Sequence, residues 1–229
     1  MDTSKSNSHD ENASFYFHND RKEMLPFLPK NMATMLDVGC GAGAFGSLAK
    51  RKTNAQIWGI ELFADAAKIA EKSLDRVFQG DAIEQLRHIE GQKFDCITFN
   101  DVLEHLAEPE AAILEAKNLL NDGGVIVASI PNVRYMSALK TIVWNGDFPR
   151  EDYGIFDRTH LRFFTRTTIR EMFETNGFRI ETLRGLRDPH PHSRTAKLVV
   201  KTLRTLFPRR FDDVNYLQFA VVARPKNAL

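Results

Sequence analysis

Residues 35–46 read Met-Leu-Asp-Val-Gly-Cys-Gly-Ala-Gly-Ala-Phe-Gly, an apolar run that enters a glycine-rich turn and continues into a helical pattern. The glycines at 39, 41 and 43 let the backbone turn tightly and approach a ligand, because no Cβ atom blocks the approach. In an open α/β sheet such a turn lies at the carboxyl end of the first strand, where ligands bind. The stretch therefore predicts a cofactor-binding α/β fold.

The same glycines fit a second pattern. Gly41, Gly43 and Gly46 spell G-x-G-x-x-G, and Glu61 stands about 20 residues further on, where dinucleotide-binding proteins have an acidic ribose ligand. An NAD(P)-dependent oxidoreductase is therefore one interpretation. Asp37 argues against it, because a carboxylate just ahead of the first glycine is unfavourable beside a pyrophosphate. It suits a ligand that carries an ammonium and a sulfonium group.

With its Asp-x-Gly-x-Gly-x-Gly segment from Asp37 to Gly43, the chain resembles the class I S-adenosylmethionine (SAM) dependent methyltransferases. The resemblance runs from about Tyr16 to the last predicted strand and implies SAM as the cofactor. In this family the acidic residue of a segment such as Gly80-Asp81-Ala82 accepts the adenine amino group, although Asp81 also suits a helix N-cap. The cofactor-binding residues that the resemblance implies are Asp37, Gly39, Gly41, Gly43, Glu61, Asp81, Ala82 and Asn100.

Alternating apolar runs and turn signals predict the fold class. It is α/β: a Rossmann-like sheet of seven mostly parallel strands with helices on both faces and a final antiparallel strand. The predicted strands are 33–38, 55–60, 77–79, 94–100, 125–130, 178–186 and 216–224. The predicted helices include 63–74, 83–89, 109–120 and one that Thr165 caps and that runs to Glu174.

The chain of 229 residues, 43% hydrophobic, suffices for one well-buried domain. Residues 1–13 are polar and predicted to be a disordered tail, and 14–229 form the methyltransferase domain. No apolar run approaches the ~18 residues of a membrane span, and the N-terminus has no apolar signal core. The expected location is therefore cytoplasmic, with Cys40 and Cys96 as reduced core residues rather than a disulfide.

Charge is unevenly distributed along the chain. Residues 1–130 carry a net charge of −7 and residues 131–229 a net charge of +8. The second half either meets an acidic partner or has an ordinary solvated basic face. Within it, residues 187–212 form a basic insertion between the last two strands. Over 194–210 an apolar helical face beside basic side chains suits an anionic membrane surface, an acidic substrate or packing on the domain.

Residues 131–164 are rich in aromatic residues and arginines and lack a long periodic segment, which predicts a substrate lid. Its arginines predict a negatively charged acceptor, since a guanidinium makes bidentate contacts with phosphates and carboxylates. These arginines are Arg134, Arg150, Arg158 and Arg162. No RNA-binding motif is present, and no nucleic acid is expected as a partner.

Residues 157–165, Asp-Arg-Thr-His-Leu-Arg-Phe-Phe-Thr, resemble a methyltransferase branch associated with bacterial surface-glycan and small-metabolite methylation. The predicted acceptor is therefore the hydroxyl of a small molecule, a sugar or sugar-nucleotide, and the predicted process is polysaccharide biosynthesis. A SAM-binding subunit without activity, serving a partner enzyme, is a further alternative. The histidines of the acceptor site, His105 and His160, count against it.

Four residues resemble a metal-binding pattern. Asp101, Glu104, His105 and the distant His160 follow the order seen in ubiquinone-pathway O-methyltransferases and small-RNA 2′-O-methyltransferases, where such residues hold a divalent metal beside the reacting hydroxyl. Asp101 stands where that pattern has the longer Glu. The alternative needs no metal: His105 or His160 is then the catalytic general base, because a histidine pKa lies near the working pH.

Overall fold

One mixed sheet runs through the chain in the computed structural model, which describes residues 20–187, 198, 200–202 and 205–226. The strands are β1 Thr34–Val38, β2 Gln56–Glu61, β3 Arg76–Gln79, β4 Phe94–Asn100, β5 Leu120–Pro131, β6 Phe178–Arg187 and β7 Tyr216–Pro225. Their order is β3-β2-β1-β4-β5-β7-β6. β1 pairs in parallel with β2 and β4, and β6 pairs antiparallel with β7. The predicted fold class is confirmed.

Helices connect most of the strands. They include α1 Ala44–Thr53, α2 Ala64–Ala70, α3 Ala82–His88, α4 Pro109–Asn118, α5 Met136–Leu139, α6 Arg166–Thr175 and α7 Pro208–Phe211. Two 3₁₀ helices span Lys22–Phe27 and Leu103–His105, and a π-helical turn spans Lys140–Trp144. Among the described helices, none is both long enough and apolar enough to cross a bilayer.

The chain divides into two compact units. The first contains the residues up to Asn100 together with Ala111–Val127, and so holds β1 to β4 with α1 to α3. The second contains Asp101–Glu110 and Ala128–Lys226. The predicted tail 1–13, Tyr16 and the stretch 188–197 of the basic insertion lie outside the described residues. The domain boundaries 14–229 remain a prediction.

The core of the first unit follows from the burial of parallel strands on both faces, which requires nearly continuous apolar sequence. Met35 and Leu36 of β1 and Phe94 and Phe99 of β4 are fully or almost fully buried. Helix α1 approaches the sheet closely at Gly46, where a Cβ atom would lie 3.1 Å from Ile57 of β2 and 2.7 Å from Leu74. The third glycine of the sequence pattern is thus required for helix-to-sheet packing.

Strand β5 begins earlier than predicted. The sequence predicted a helix to residue 120 and this strand from residue 125, but α4 ends at Asn118 and β5 starts at Leu120. Gly123 and Gly124 therefore lie inside the strand, where each has a conformational or steric reason to be glycine. Gly123 has a φ of 77°, and a Cβ atom on Gly124 would lie 2.9 Å from the carbonyl oxygen of Phe94. Helix α2 likewise ends at Ala70 rather than at residue 74.

Candidate active site

The glycine turn after β1 is held by backbone hydrogen bonds to the end of β2. The amides of Gly39 and Cys40 both donate to the carbonyl oxygen of Ile60, at 2.8 and 3.0 Å. Gly39, Gly41 and Gly43 all have positive φ, between 54° and 80°, which other residues rarely adopt. A Cβ atom on Gly43 would also lie 2.9 Å from the Ser73 hydroxyl. The three predicted glycines therefore have a conformational reason to be glycine.

Glu61 fixes the same turn through its side chain. One carboxylate oxygen accepts the amide of Gly41 at 2.8 Å, and the other accepts the amide of Phe63 at 2.9 Å. The side chain is buried. A carboxylate offers about four acceptor positions, so these two bonds leave capacity for two further donors. This capacity fits the predicted role of Glu61 as the acceptor for a ribose diol.

Asp37 is more enclosed than the sequence suggested. Its side chain is only 2% exposed, and Oδ1 accepts the Thr98 hydroxyl at 2.6 Å. Burial raises its pKa to about 7, the nearby Glu61 charge acts in the same direction, and the Thr98 hydrogen bond opposes them. The sequence predicted a carboxylate that suits a cationic ligand. The structure instead has a buried carboxyl that is partly protonated near neutral pH, and a nearby positive charge would favour its ionised form.

The ends of β3 and β4 carry the other predicted cofactor residues. Asp81 is the N-cap of α3, and its Oδ1 accepts the amides of Ile83 and Glu84 at 2.9 and 3.1 Å. The helix-capping alternative is thus observed, and Ala82 is the first residue of that helix. The amide group of Asn100 is different: both of its polar atoms are buried without a hydrogen-bond partner among the described residues. Such orphaned atoms suit a bound ligand.

The candidate acceptor residues lie in the second unit. Residues Leu103–His105 form a single 3₁₀ turn, in which Glu104 is 1% exposed. The carbonyl oxygen of Glu104 accepts the amides of Leu161 and Arg162 at 2.8 and 3.0 Å. These two bonds join the 157–162 segment to the 3₁₀ turn. As a result, His105 and His160 stack edge to face with their ring centroids 4.7 Å apart.

Both histidines make a hydrogen bond through Nδ1. That of His160 lies 3.0 Å from the carbonyl oxygen of Ile155, and that of His105 lies 3.0 Å from the Thr159 hydroxyl. A carbonyl oxygen only accepts, so His160 carries its proton on Nδ1. Burial lowers the pKa of His105, the neighbouring His160 lowers it further, and the charges of Asp157 and Asp101 oppose this shift.

Three of the four predicted metal ligands come together. One ligand atom each from Glu104, His105 and His160 lies within 4.8 Å of the others. Asp101 is not in this group. Its φ of 55° places it in the left-handed region, and its Oδ1 accepts Gln218 at 2.8 Å and the Ser129 hydroxyl at 3.1 Å. Residues 101, 104 and 105 do not share one helical face, because the 3₁₀ turn starts only at Leu103.

The arginines of the predicted lid have partners within the second unit. Each of the four makes an ion pair or a hydrogen bond to another residue of the chain. In chain order, these partners are the carboxylate of Asp213, the carbonyl oxygen of Arg158, the carboxylate of Asp152 and the carbonyl oxygen of Ala107. The carboxylates neutralise the charges of Arg134 and Arg158, whereas Arg150 and Arg162 contact uncharged carbonyl oxygens.

Sequence reasoning missed the residues that hold the site in place. The Thr98 hydroxyl donates to Asp37, and Gln218 and Ser129 donate to Asp101. Thr159, which donates to Asp157, contacts His105. The spacing Asp-x-Thr-His did carry a signal. An aspartate that accepts the amide two residues on is a common turn, and here Asp157 Oδ1 accepts the Thr159 amide at 2.8 Å.

A family model described as a methyltransferase domain matches residues 11–183. The chain belongs to this methyltransferase family. A "Ubiquinone biosynthesis O-methyltransferase" from Xylella fastidiosa (strain M23) is 25% identical over 201 residues, which cover 86% of this chain and 76% of that protein. The mitochondrial protein of that name from Candida albicans is 34% identical over 116 residues, covering 48% of this chain and 36% of its own.

Solved structures of methyltransferases share the fold. A SAM-dependent methyltransferase from Archaeoglobus fulgidus has a TM-score of 0.65 at 20% identity, with 92% of this chain and 93% of that chain covered. A magnesium protoporphyrin IX methyltransferase from Synechocystis PCC 6803, with bound SAH, has a TM-score of 0.57 at 16% identity, with 94% and 82% covered. The chain is a SAM-dependent methyltransferase, and the interpretation as an NAD(P)-dependent oxidoreductase is dropped.

Proposed function

We propose that this methyltransferase transfers the methyl group of SAM to a hydroxyl oxygen of a small molecule. The observation that carries this proposal is the cluster of Glu104, His105 and His160, a carboxylate and two imidazoles within 4.8 Å of one another. Methyl transfer to oxygen requires a group that lowers the hydroxyl pKa or removes its proton. The names of the relatives, which specify O-methyltransferases, support the same acceptor atom.

The cofactor-binding set of the proposal lies in the first unit. Glu61 would accept the ribose hydroxyls, and the glycine turn would bring backbone amides close to the ligand. Asp81 uses one carboxylate oxygen as the α3 cap and has a second for the adenine amino group. The buried amide of Asn100 supports a further polar contact, because burying it without a partner is costly.

The residues of the cluster fit a divalent metal. Imidazole and carboxylate are ligands that borderline divalent ions accept. The Nδ1 contact of each ring is typical of histidines that bind a metal through the other nitrogen. Held there, the ion would act as a Lewis acid toward an acceptor hydroxyl. The lowered pKa of His105 favours its neutral form, whose unprotonated nitrogen would either bind the metal or, without a metal, take the proton of the acceptor hydroxyl.

The acceptor in this proposal carries two adjacent oxygens, because a vicinal diol can chelate the metal and fix the reacting oxygen. The sequence predicted a sugar or sugar-nucleotide. The names of the relatives specify ubiquinone biosynthesis and give no support to polysaccharide biosynthesis. Phe148 and Phe163 are exposed and lie in the same unit as His160. Their ring centroids are 5.0 Å apart. They favour a diol on a flat apolar ring, with the sugar diol as the second candidate.

The remaining sequence predictions stay part of the proposal. Residues 131–164 would act as a substrate lid, which exposes large apolar side chains such as Trp144 and Tyr153. The described part of 187–212 includes exposed Leu206 and Phe207, as a surface that contacts an anionic membrane would require. An anionic acceptor has less support, because the four lid arginines have partners within the chain.

Removal of the metal tests the proposal. Wild-type protein should lose methyl transfer to a vicinal diol in excess chelator and regain it when a divalent ion is added back. His105→Ala should be inactive under both conditions. His88→Ala, an exposed histidine of α3, should behave as wild type. Full activity of the wild type in chelator, with His105→Ala still inactive, would eliminate the metal and leave His105 as the general base.

A further inference from the structure

A short chain of hydrogen bonds leads away from His105. Its Nδ1 lies 3.0 Å from the Thr159 hydroxyl, and that hydroxyl lies 2.6 Å from Oδ1 of Asp157. Asp157 is 8% exposed. The same Oδ1 also accepts the backbone amide of Thr159 at 2.8 Å. Two donors from one residue thus converge on one carboxylate oxygen, which fixes the orientation of the threonine side chain.

The direction of each hydrogen bond follows from the chemistry of the groups. A carboxylate only accepts, so the single proton of the Thr159 hydroxyl points toward Asp157. The hydroxyl oxygen then has only lone pairs for His105. Nδ1 of His105 must therefore carry a hydrogen and donate it to Thr159. A neutral imidazole with its proton on Nδ1 has an unprotonated Nε2, the nitrogen that can bind a metal or accept a proton.

We propose that Thr159 is a positioning residue, oriented by Asp157, that fixes His105 in the tautomer with an unprotonated Nε2. This inference deepens the proposed function and rests on it for its catalytic meaning. In His160 the same tautomer is fixed by a backbone group, because Nδ1 donates to the carbonyl oxygen of Ile155. No side-chain substitution removes a carbonyl oxygen, whereas the device at His105 consists of two side chains. It can therefore be tested directly.

If Thr159 and Asp157 had only a structural role, a different result would be expected. The turn from 154 to 160 also has backbone bonds of its own: the Asp157 amide donates to Gly154, and the His160 amide donates to the Asp157 carbonyl. If Thr159 only shaped this turn, removing its hydroxyl would change stability and leave the His105 proton where it is. If Thr159 sets the tautomer, the proton position changes in a folded protein.

Thr159→Val is the decisive variant, because it removes the hydroxyl and keeps the branched shape. Nitrogen NMR of the neutral imidazole, above the lowered pKa of His105, reports which ring nitrogen carries the proton. Wild type and Thr159→Ser should have the proton on Nδ1, and Thr159→Val should populate the Nε2-protonated form. Affinity for Zn²⁺ should fall roughly 10- to 100-fold in Thr159→Val and recover in Thr159→Ser.

Thr175→Val is the matched control, since that hydroxyl donates to the Glu171 carbonyl in α6 and accepts the side-chain amide of Asn176. It should keep the wild-type spectrum and Zn²⁺ affinity. If Thr159→Val does not fold, Thr159→Ala removes the same hydroxyl with the same expected result. Unchanged His105 tautomer and unchanged Zn²⁺ affinity in the folded variant overturn the inference and leave the proposed function intact. Absence of methyl transfer in wild type with the tautomer confirmed would overturn only the function.

Discussion

At the scale of single residues, the buried carboxyl of Asp37 makes stability depend on pH. Its pKa is about 7 in the folded chain, compared with the ordinary aspartate value of 3.8 that applies to the unfolded chain. Between these two values the unfolded chain has lost the proton and the folded chain still holds it. Unfolding therefore releases a proton in this interval, and the free energy of unfolding falls as pH rises from about 4 to about 7.

We expect Asp37→Asn to remove this fall, which is on the order of 2–4 kcal/mol for a shift of this size. The amide oxygen can still accept the Thr98 hydroxyl. Urea unfolding of wild type and variant between pH 4.5 and pH 8 measures the difference. Asp65→Asn, whose side chain is fully exposed, is the control and should follow wild type. The same pH slope in wild type and Asp37→Asn would show that the carboxyl has an ordinary pKa.

Glu61 holds the glycine turn and is the proposed acceptor for the ribose diol. Glu61→Ala removes this proposed acceptor together with the bonds to Gly41 and Phe63. SAM binding should weaken by about 1.5–3 kcal/mol, as for other hydrogen bonds to a charged group. Glu61→Gln keeps the volume and one acceptor oxygen, so it should lose less. Titration calorimetry measures both, and wild-type affinity in Glu61→Ala would exclude a ribose contact.

At the scale of elements, helix α6 is stabilised at its first turn by Thr165. The hydroxyl of Thr165 accepts the Thr168 amide at 3.2 Å, and the hydroxyl of Thr168 accepts the Thr165 amide at 2.9 Å. Thr165→Ala should lower the free energy of unfolding by about 1 kcal/mol. Thr175→Ala, at the other end of the helix, is the control and should cost less. Equal losses in the two variants would mean that the cap contributes nothing specific.

Elements with a local cause were predictable from sequence. Strand β4 has the predicted bounds 94–100, because its apolar residues suit burial on both faces of the sheet. The cap of α6 is a local hydroxyl. The start of β5 was not predictable, since Gly124 is required by the carbonyl of Phe94, 30 positions away in sequence. The fit of Gly46 against Leu74 has the same non-local cause.

The candidate site also combines residues that were predictable from sequence with contacts that were not. The glycine turn, Glu61 and the Glu104-His105-His160 set follow from motifs, whereas the group that holds each of them depends on the folded chain. Asp101 does not lie with the other three predicted metal ligands, and its carboxylate instead accepts Gln218, 117 positions away in sequence. The contact between Thr159 and His105 spans 54 positions. No periodicity or spacing within one segment reports such contacts.

At the scale of the whole molecule, charge and chemistry are divided between the two halves of the sequence. Residues 1–130 carry a net charge of −7 and residues 131–229 a net charge of +8. Part of the positive charge is paired within its own unit, as Arg134 with Asp213 and Arg224 with Glu181. All of the proposed cofactor ligands belong to the first unit and the Glu104-His105-His160 cluster to the second.

Transfer of a labelled methyl group tests the central claim most directly. The protein, SAM with an isotopically labelled methyl group and a divalent ion are incubated with a vicinal ring diol and, separately, with its monomethyl ether. Mass spectrometry locates the label. The account predicts label on one oxygen of the diol, at least tenfold less on the monomethyl ether, and none on the diol with His105→Ala. Equal labelling of diol and ether, or a labelled nitrogen in a matched amine, would contradict it.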